Sequence, residues 1–188
     1  MSKQALSFNK KCRLCPRLAE FLDDVRENKP DYYALPVPSF GQQDAQLVVV
    51  GLAPGMHGAN RTGRPFTGDH AGVLLYETLH QFGFANQPTG DDPNDGLVLH
   101  NCRIANAVKC LPPQNKPLGE EINTCNRYLS AEITESKKPI VVVALGTIAH
   151  AAVLTALGFK KSHAKFAHLA VHHLTEDRIL VDSYHCSR

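Results

Sequence analysis

Four cysteines have the spacing of a metal-ligand set: Cys12 and Cys15 as C-x2-C, then Cys110 and Cys125 as C-x14-C. Four thiolates at one centre suit either a [4Fe-4S] cluster or a tetrahedral zinc ion. Zinc sites more often use two short pairs, and only one pair is short here, so spacing leaves both metals open. Cys102 and Cys186 have no partner at ligand spacing and are expected to be packed residues. Three further stretches carry polar groups suited to binding or catalysis. GLAPGMHGANRTGRPFTGDHAG begins at Gly51 and presents Asn60, Arg61, Arg64, Phe66 and Asp69; NAVKC presents Asn106 and Lys109; SYHCSR presents His185 and Arg188. An amide such as Asn106 offers one acceptor and two donors, and a neutral histidine such as His185 offers one donor and one acceptor.

Those stretches need elements to hold them. The chain has 188 residues, 43% of them hydrophobic, which is enough for one well-buried core and short for two. Net charge is only +2, so a nucleic-acid partner is permitted but a phosphate-binding surface must come from local clustering. The start, MSKQALSFNKKC, has no apolar stretch of signal-peptide length, and no run approaches the roughly 18 apolar residues of a membrane span. A cytoplasmic protein that binds no membrane and works as a monomer is the expectation. Thiols in that compartment are kept reduced, which favours metal ligation over disulfides.

Leu18, Phe21, Leu22 and Val25 recur at helical spacing over 17–27, and the Pro- and aromatic-rich YYALPVPSFG reads as an irregular covering segment. Residues 46–53 read as the first strand, its continuous apolar character suiting a parallel sheet covered on both faces. A helix is predicted after the glycine loop, with Asp69 as N-cap and Gly83 as stop, followed by an exposed loop over 86–96. Further strands are predicted near 103–108 and at 140–145, with helices over 118–137 and from Gly146 to about Leu157. Residues 166–185 read as extended, with Thr175-Glu176-Asp177 as a turn. Alternating strands and helices predict an α/β fold, a three-layer α/β/α sandwich around a central, mostly parallel four-stranded sheet. Ligands of such sheets bind beyond the carboxyl ends of the strands, and all three polar stretches fall at or just past a predicted strand end.

Taken with the four cysteines, GLAPGMHGANRTGRPFTGD, NAVKCLPPQNK and SYHCSR closely resemble the iron–sulfur uracil-DNA glycosylases of bacteria and archaea. Family 5, or type b, is the variant the chain looks most like. Family 4 members usually carry an acidic residue where this chain has Leu52 and lack HGANR, so Leu52, His57, Asn60 and Arg61 favour family 5. The resemblance covers essentially the whole chain, 1–188, as one glycosylase domain; the family pattern continues past SYHCSR through more of that loop and a final helix. It implies a [4Fe-4S] cluster on Cys12, Cys15, Cys110 and Cys125, and DNA containing uracil or other deaminated bases as partner.

A glycosylase of this kind extrudes the nucleotide, holds the base in a pocket and stabilises the charge that develops as the bond to the sugar breaks. Donors aimed at the base oxygens should supply the largest single contribution, a role that suits the backbone N–H groups of Gly55 and Met56 beside Ala53. The resemblance implies that the Phe66 ring stacks on the base. Asn106 matches the N3–H and O4 of uracil, although a rotated amide would match cytosine equally well. His185 is expected to donate to O2 as a neutral ring. Asp69 is the expected water-positioning group, held ionised by donors at a helix start, with His57 and Asn60 as alternatives. Arg61, Arg64, Lys109, Lys116 and Arg188 are the candidate phosphate contacts. Two other functions fit parts of the pattern. A cluster-bearing protein could recognise deaminated bases in DNA without releasing them. A nucleotide-binding protein could use the Gly51–Gly58 loop for phosphate, but that loop lacks both G-x-G-x-x-G and the P-loop pattern.

Overall fold

The structure, a computed structural model, describes residues 8–136 and 138–187. In chain order the elements are α1 (Pro16–Asn28), β1 (Phe40–Gly41), β2 (Leu47–Gly51), α2 (Ala59–Thr62), α3 (His70–Gln81), β3 (Cys102–Asn106), α4 (Gly119–Thr134), β4 (Ile140–Leu145), α5 (Thr147–Ala156), β5 (Val171–Thr175) and β6 (Arg178–Ser183). They form one sheet of six strands in the order β1-β3-β2-β4-β6-β5. The four central strands run parallel, while β1 and β5 are antiparallel edges. The sheet is therefore wider than the four strands expected. Its parallel centre has that number, and the excess is a two-residue edge strand and the outer arm of a hairpin.

Strand β2 reads Leu-Val-Val-Val-Gly because both its faces are covered. Val48 and Val50 join Val142, Ala144 and Leu180 beneath α4 and α5, whose Leu129, Ile133, Val153 and Leu154 are wholly buried. Val49 faces the other way, with Ile104 and Leu145, toward Leu75, Tyr76 and Leu79 of α3. A third apolar cluster, Leu18, Leu22 and Val25 of α1 with Val108, Leu111 and Tyr128, surrounds Cys110 and Cys125.

Strand β3 pairs with one side of β2 and β4 with the other, so chain order reverses direction at β2 and a crevice opens at its carboxyl end. The loop beyond Gly51 is held from outside by YYALPVPSFG: Tyr33 N–H donates to the Arg61 carbonyl and Ala34 N–H to that of Asn60, both at 3.0 Å. None of the helices among the described residues is long and apolar enough to cross a membrane.

Candidate active site

A cleft of about 340 Å³ opens at the carboxyl ends of β2, β3 and β6, and Ala53, Gly55, Phe66, Asp69, Asn106 and His185 all reach it. Register brings the first two strands together, since Gly51 pairs with Asn106 across the sheet. A Cβ on Gly51 would lie 2.6 Å from the Asn106 amide oxygen and 2.7 Å from the Phe66 ring, so glycine here is what lets the amide and the ring approach each other. Phe66 itself has φ of +54°, a left-handed conformation costly for a side chain of that size. The cost places a buried aromatic ring on the cleft wall, 5.9 Å from the His185 ring and inclined to it by 27°.

Asn106 is 4% exposed, and its Oδ1 is buried with no hydrogen-bond partner among the described residues. An unpaired buried carbonyl costs about 1–3 kcal/mol, so the site stands short of one donor that a ligand can supply. Among the described residues no hydrogen bond pins the amide in the orientation that presents Oδ1.

Asp69 is the N-cap of α3: Oδ1 accepts from Gly72 N–H at 3.0 Å. The second carboxylate oxygen turns toward the glycine loop, where a Cβ on Gly58 would collide with it. Cap and cleft-facing carboxylate are thus the same residue. Burial holds the His185 imidazole below its ordinary value of 6.5, against the opposing pull of Asp69. Ser187 N–H donates to His185 Nδ1 at 3.1 Å, so the neutral ring carries its proton on Nε2.

His57 is exposed, with Nδ1 2.8 Å from the Tyr32 hydroxyl, and Asn60 is wholly buried with both side-chain polar atoms unpartnered. Neither lines the cleft, which leaves Asp69 the better placed of the three. Gly55 lines the cleft and Met56 does not; neither N–H finds an acceptor among the described residues, and the Met56 side chain packs toward the cysteines. Asn115 and Ser187, not singled out from sequence, also line the cleft. Asn115 has a left-handed φ of +56°, a conformation that asparagine adopts more readily than most side chains.

Two expected phosphate contacts are corrected. Arg64 is 6% exposed and forks onto Asp95 at 2.9 and 2.7 Å, with Nε on Thr67 Oγ1 at 2.7 Å. Hydrogen bonding to that guanidinium pulls the Asp95 carboxyl down to about 2. Lys109 is 2% exposed and spends its ammonium on Ser39 (2.7 Å) and Glu132 (3.2 Å). Both cations brace loops from within, because a charge buried this deeply requires a partner. Arg61 and Lys116 remain exposed; Arg188 lies outside the described residues.

The four cysteines come together at a second, small cavity between α1, the segment after β3, and α4. Cys15 caps α1 immediately before Pro16, and Arg17 forks onto Glu121 of α4 at 2.8 and 2.7 Å, tying together the helices that carry Cys15 and Cys125. Lys109 N–H donates to Cys125 Sγ at 3.3 Å. Burial pushes the Cys110 thiol well up, its cysteine neighbours adding to the shift, and raises Cys125 to about 11. Thiols in that state need the positive charge of a metal centre to become thiolates. Four thiols around one cavity are a donor set that suits either a tetrahedral zinc ion or a [4Fe-4S] cluster.

A three-layer α/β domain that opens a narrow cleft at its strand ends, walled by an aromatic ring and lined by an amide, an imidazole and a carboxylate, defines a binder of a flat, polar-edged ring. A family model described as the uracil DNA glycosylase superfamily matches residues 38–188. The chain is 44% identical over 182 residues to a type-5 uracil-DNA glycosylase of Thermus thermophilus, covering 94% of this chain and 83% of that one. It is 41% identical over 180 residues to a type-5 enzyme of Pyrobaculum aerophilum, covering 94% and 78%. Against a type-4 enzyme of Thermotoga maritima identity is 36% over 141 residues, covering 74% and 59%. The chain belongs to the uracil-DNA glycosylase superfamily, and within it to the type-5 family.

Proposed function

We infer that this protein hydrolyses the N-glycosidic bond of uracil in DNA, leaving an abasic site for repair. The unpartnered Asn106 Oδ1 carries the reading, because it lies in the same cleft as the Phe66 ring, the His185 imidazole and the Asp69 carboxylate. An extruded uracil set against Phe66 gives its N3–H to Asn106 Oδ1, and the amide NH₂ meets O4. His185 Nε2–H and the Gly55 N–H, both on the cleft wall, then face base oxygens on which negative charge grows as the bond breaks. Donors fixed in place need no reorganisation at that moment, which is why they accelerate the step. His185 stays neutral and transfers no proton. The Asp69 oxygen not used in capping orients water and offsets positive charge on the sugar.

Cys12, Cys15, Cys110 and Cys125 would hold a [4Fe-4S] cluster, which would tie the segment leading into α1 and the segment after β3 to α4. Among the described candidates, the exposed Lys116 ammonium and the Arg61 guanidinium, whose Nε already donates to the His57 carbonyl at 2.7 Å, are the cations that can meet a phosphate. Because no hydrogen bond fixes the Asn106 amide, it can turn to suit other deaminated bases, so the accepted range extends beyond uracil.

Incubation with a uracil-containing duplex oligonucleotide, followed by alkali, should cleave the strand at uracil and release free base. Binding of that duplex without base release would leave a recognition protein in place of an enzyme. Iron and sulfide in equal amounts, near four of each per chain, are expected for the cluster; a colourless protein with one zinc in the cysteine cage would refute that assignment alone.

A further inference from the structure

A second constellation lies on the α5 side of the sheet, away from the cleft and from the cysteines. Side chains alternate along a strand, so Leu180 and Asp182 of β6 share one face, and His172 of β5 stands opposite Leu180 on that face. The overlying α5 contributes His150. His150 Nδ1 is 2.7 Å from Asp182 Oδ1, and His172 Nε2 is 3.0 Å from Oδ2. The three ligand atoms lie within 4.8 Å of one another. Asp182 is wholly buried and His150 is 3% exposed.

The protons decide what such a cluster can hold. His150 Nε2 is 3.0 Å from the Ala164 carbonyl, which can only accept, so Nε2 carries a hydrogen. Nδ1, facing a carboxylate, then either carries a second proton or offers its lone pair to a cation. Metal-bound histidines likewise fix the outer N–H on a carbonyl or carboxylate, which sets the tautomer and aims the inner nitrogen at the ion. The His150 and His172 rings converge with centroids 5.6 Å apart and planes 70° apart. The His172 side chain is 18% exposed, which leaves an entry path and room for a water ligand.

We propose that His150 Nδ1, His172 Nε2 and Asp182 form a zinc site independent of the cysteine cage. Two imidazoles and one carboxylate match zinc in donor type, whereas magnesium and calcium take mostly oxygen ligands. Zinc bonds of about 2.0–2.2 Å would open the two short contacts by roughly half an ångström, an adjustment the partly exposed His172 can absorb. The ion replaces the proton between His150 and Asp182 and joins α5, β5 and β6 where the His185 loop departs. Its role is structural: Asp182 N–H already donates to the Ala170 carbonyl at 3.0 Å, and Leu169 N–H to the Asp182 carbonyl at 2.8 Å.

The test uses tag-free protein isolated with its native iron content, equilibrated with zinc chloride, desalted and assayed for metal, with isothermal titration alongside. Expected is about one zinc per chain above the iron, lost in His172→Gln while circular dichroism stays unchanged, and kept in His172→Cys, which still offers a ligand. Wild-type protein that takes up no such zinc would mean that the cluster is a hydrogen-bonded imidazolium–carboxylate pair, and the proposal fails. Zinc that persists in His172→Gln would place the ion elsewhere, the cysteine cage included, and equally overturns it.

Discussion

The cleft and the cysteine corner are built on opposite plans for polar groups. In the cleft, Asn106 Oδ1 has no partner, one Asp69 oxygen lies free of the cap, and His185 keeps Nε2 for a ligand. Around the cysteines the buried charges among the described residues are matched: Glu121 by the part-exposed Arg17, and Lys109 by Glu132 and Ser39. Lys109 sits three residues from Asn106 in the same short motif, yet the two belong to different plans. Burial with a partner marks a brace, whereas an unpartnered buried group points to a ligand only where it also lines a cavity, as Asn106 does and the equally unpartnered Asn60 does not.

Loss of an unpaired group should damage turnover, and loss of a paired one should damage stability. The largest effect is expected at Asn106→Ala, with single-turnover excision slowed about 10²- to 10³-fold while affinity for uncleavable DNA changes little. Equal losses in rate and affinity would turn Asn106 into a general binding residue. Next comes Arg64→Met, which leaves Asp95 without its partner and should cost about 3 kcal/mol in denaturant unfolding. The salt dependence of DNA binding should not change; a shallower slope would return Arg64 to the phosphate contacts.

A pH series examines His185 more finely. Its folded pKa lies below 6.5, so the neutral ring prevails above that value and excision should be flat there, falling as acid protonates the ring. The unfolded chain binds that proton more readily, so the His185 contribution to stability is likewise present above 6.5 and shrinks on acidification. His185→Asn should lower the plateau and remove the acid limb assigned to this ring; an unchanged limb would belong to another group. Smallest is Arg61→Ala, expected to reduce the slope of log K against log salt by about 0.9 with the rate on bound DNA intact.

Much of this arrangement can be read from the sequence because its signals are local. The valine runs of β2 and β4, the Asp69 cap ahead of an apolar helix and the C-x2-C pair each depend on near neighbours. What escapes is what depends on distance or brevity. Arg64 meets a carboxylate 31 residues on, and Lys109 a hydroxyl 70 residues back, so no window along the chain shows that these charges are spent. Strand β1 has two residues and α2 four, too few for a period to register. Ser187 fixes the His185 tautomer through a backbone N–H, a group that every residue but proline has and that sequence cannot aim.

The central claim is that one extruded base completes the cleft, and a crystal of the protein with duplex DNA carrying 2′-fluoro-2′-deoxyuridine, which resists cleavage, tests it most directly. The uracil ring should lie against Phe66, with N3 within hydrogen-bond reach of Asn106 Oδ1 and O2 within reach of His185 Nε2. A base seated outside the cleft, or one that leaves Asn106 Oδ1 without a donor, would contradict the account.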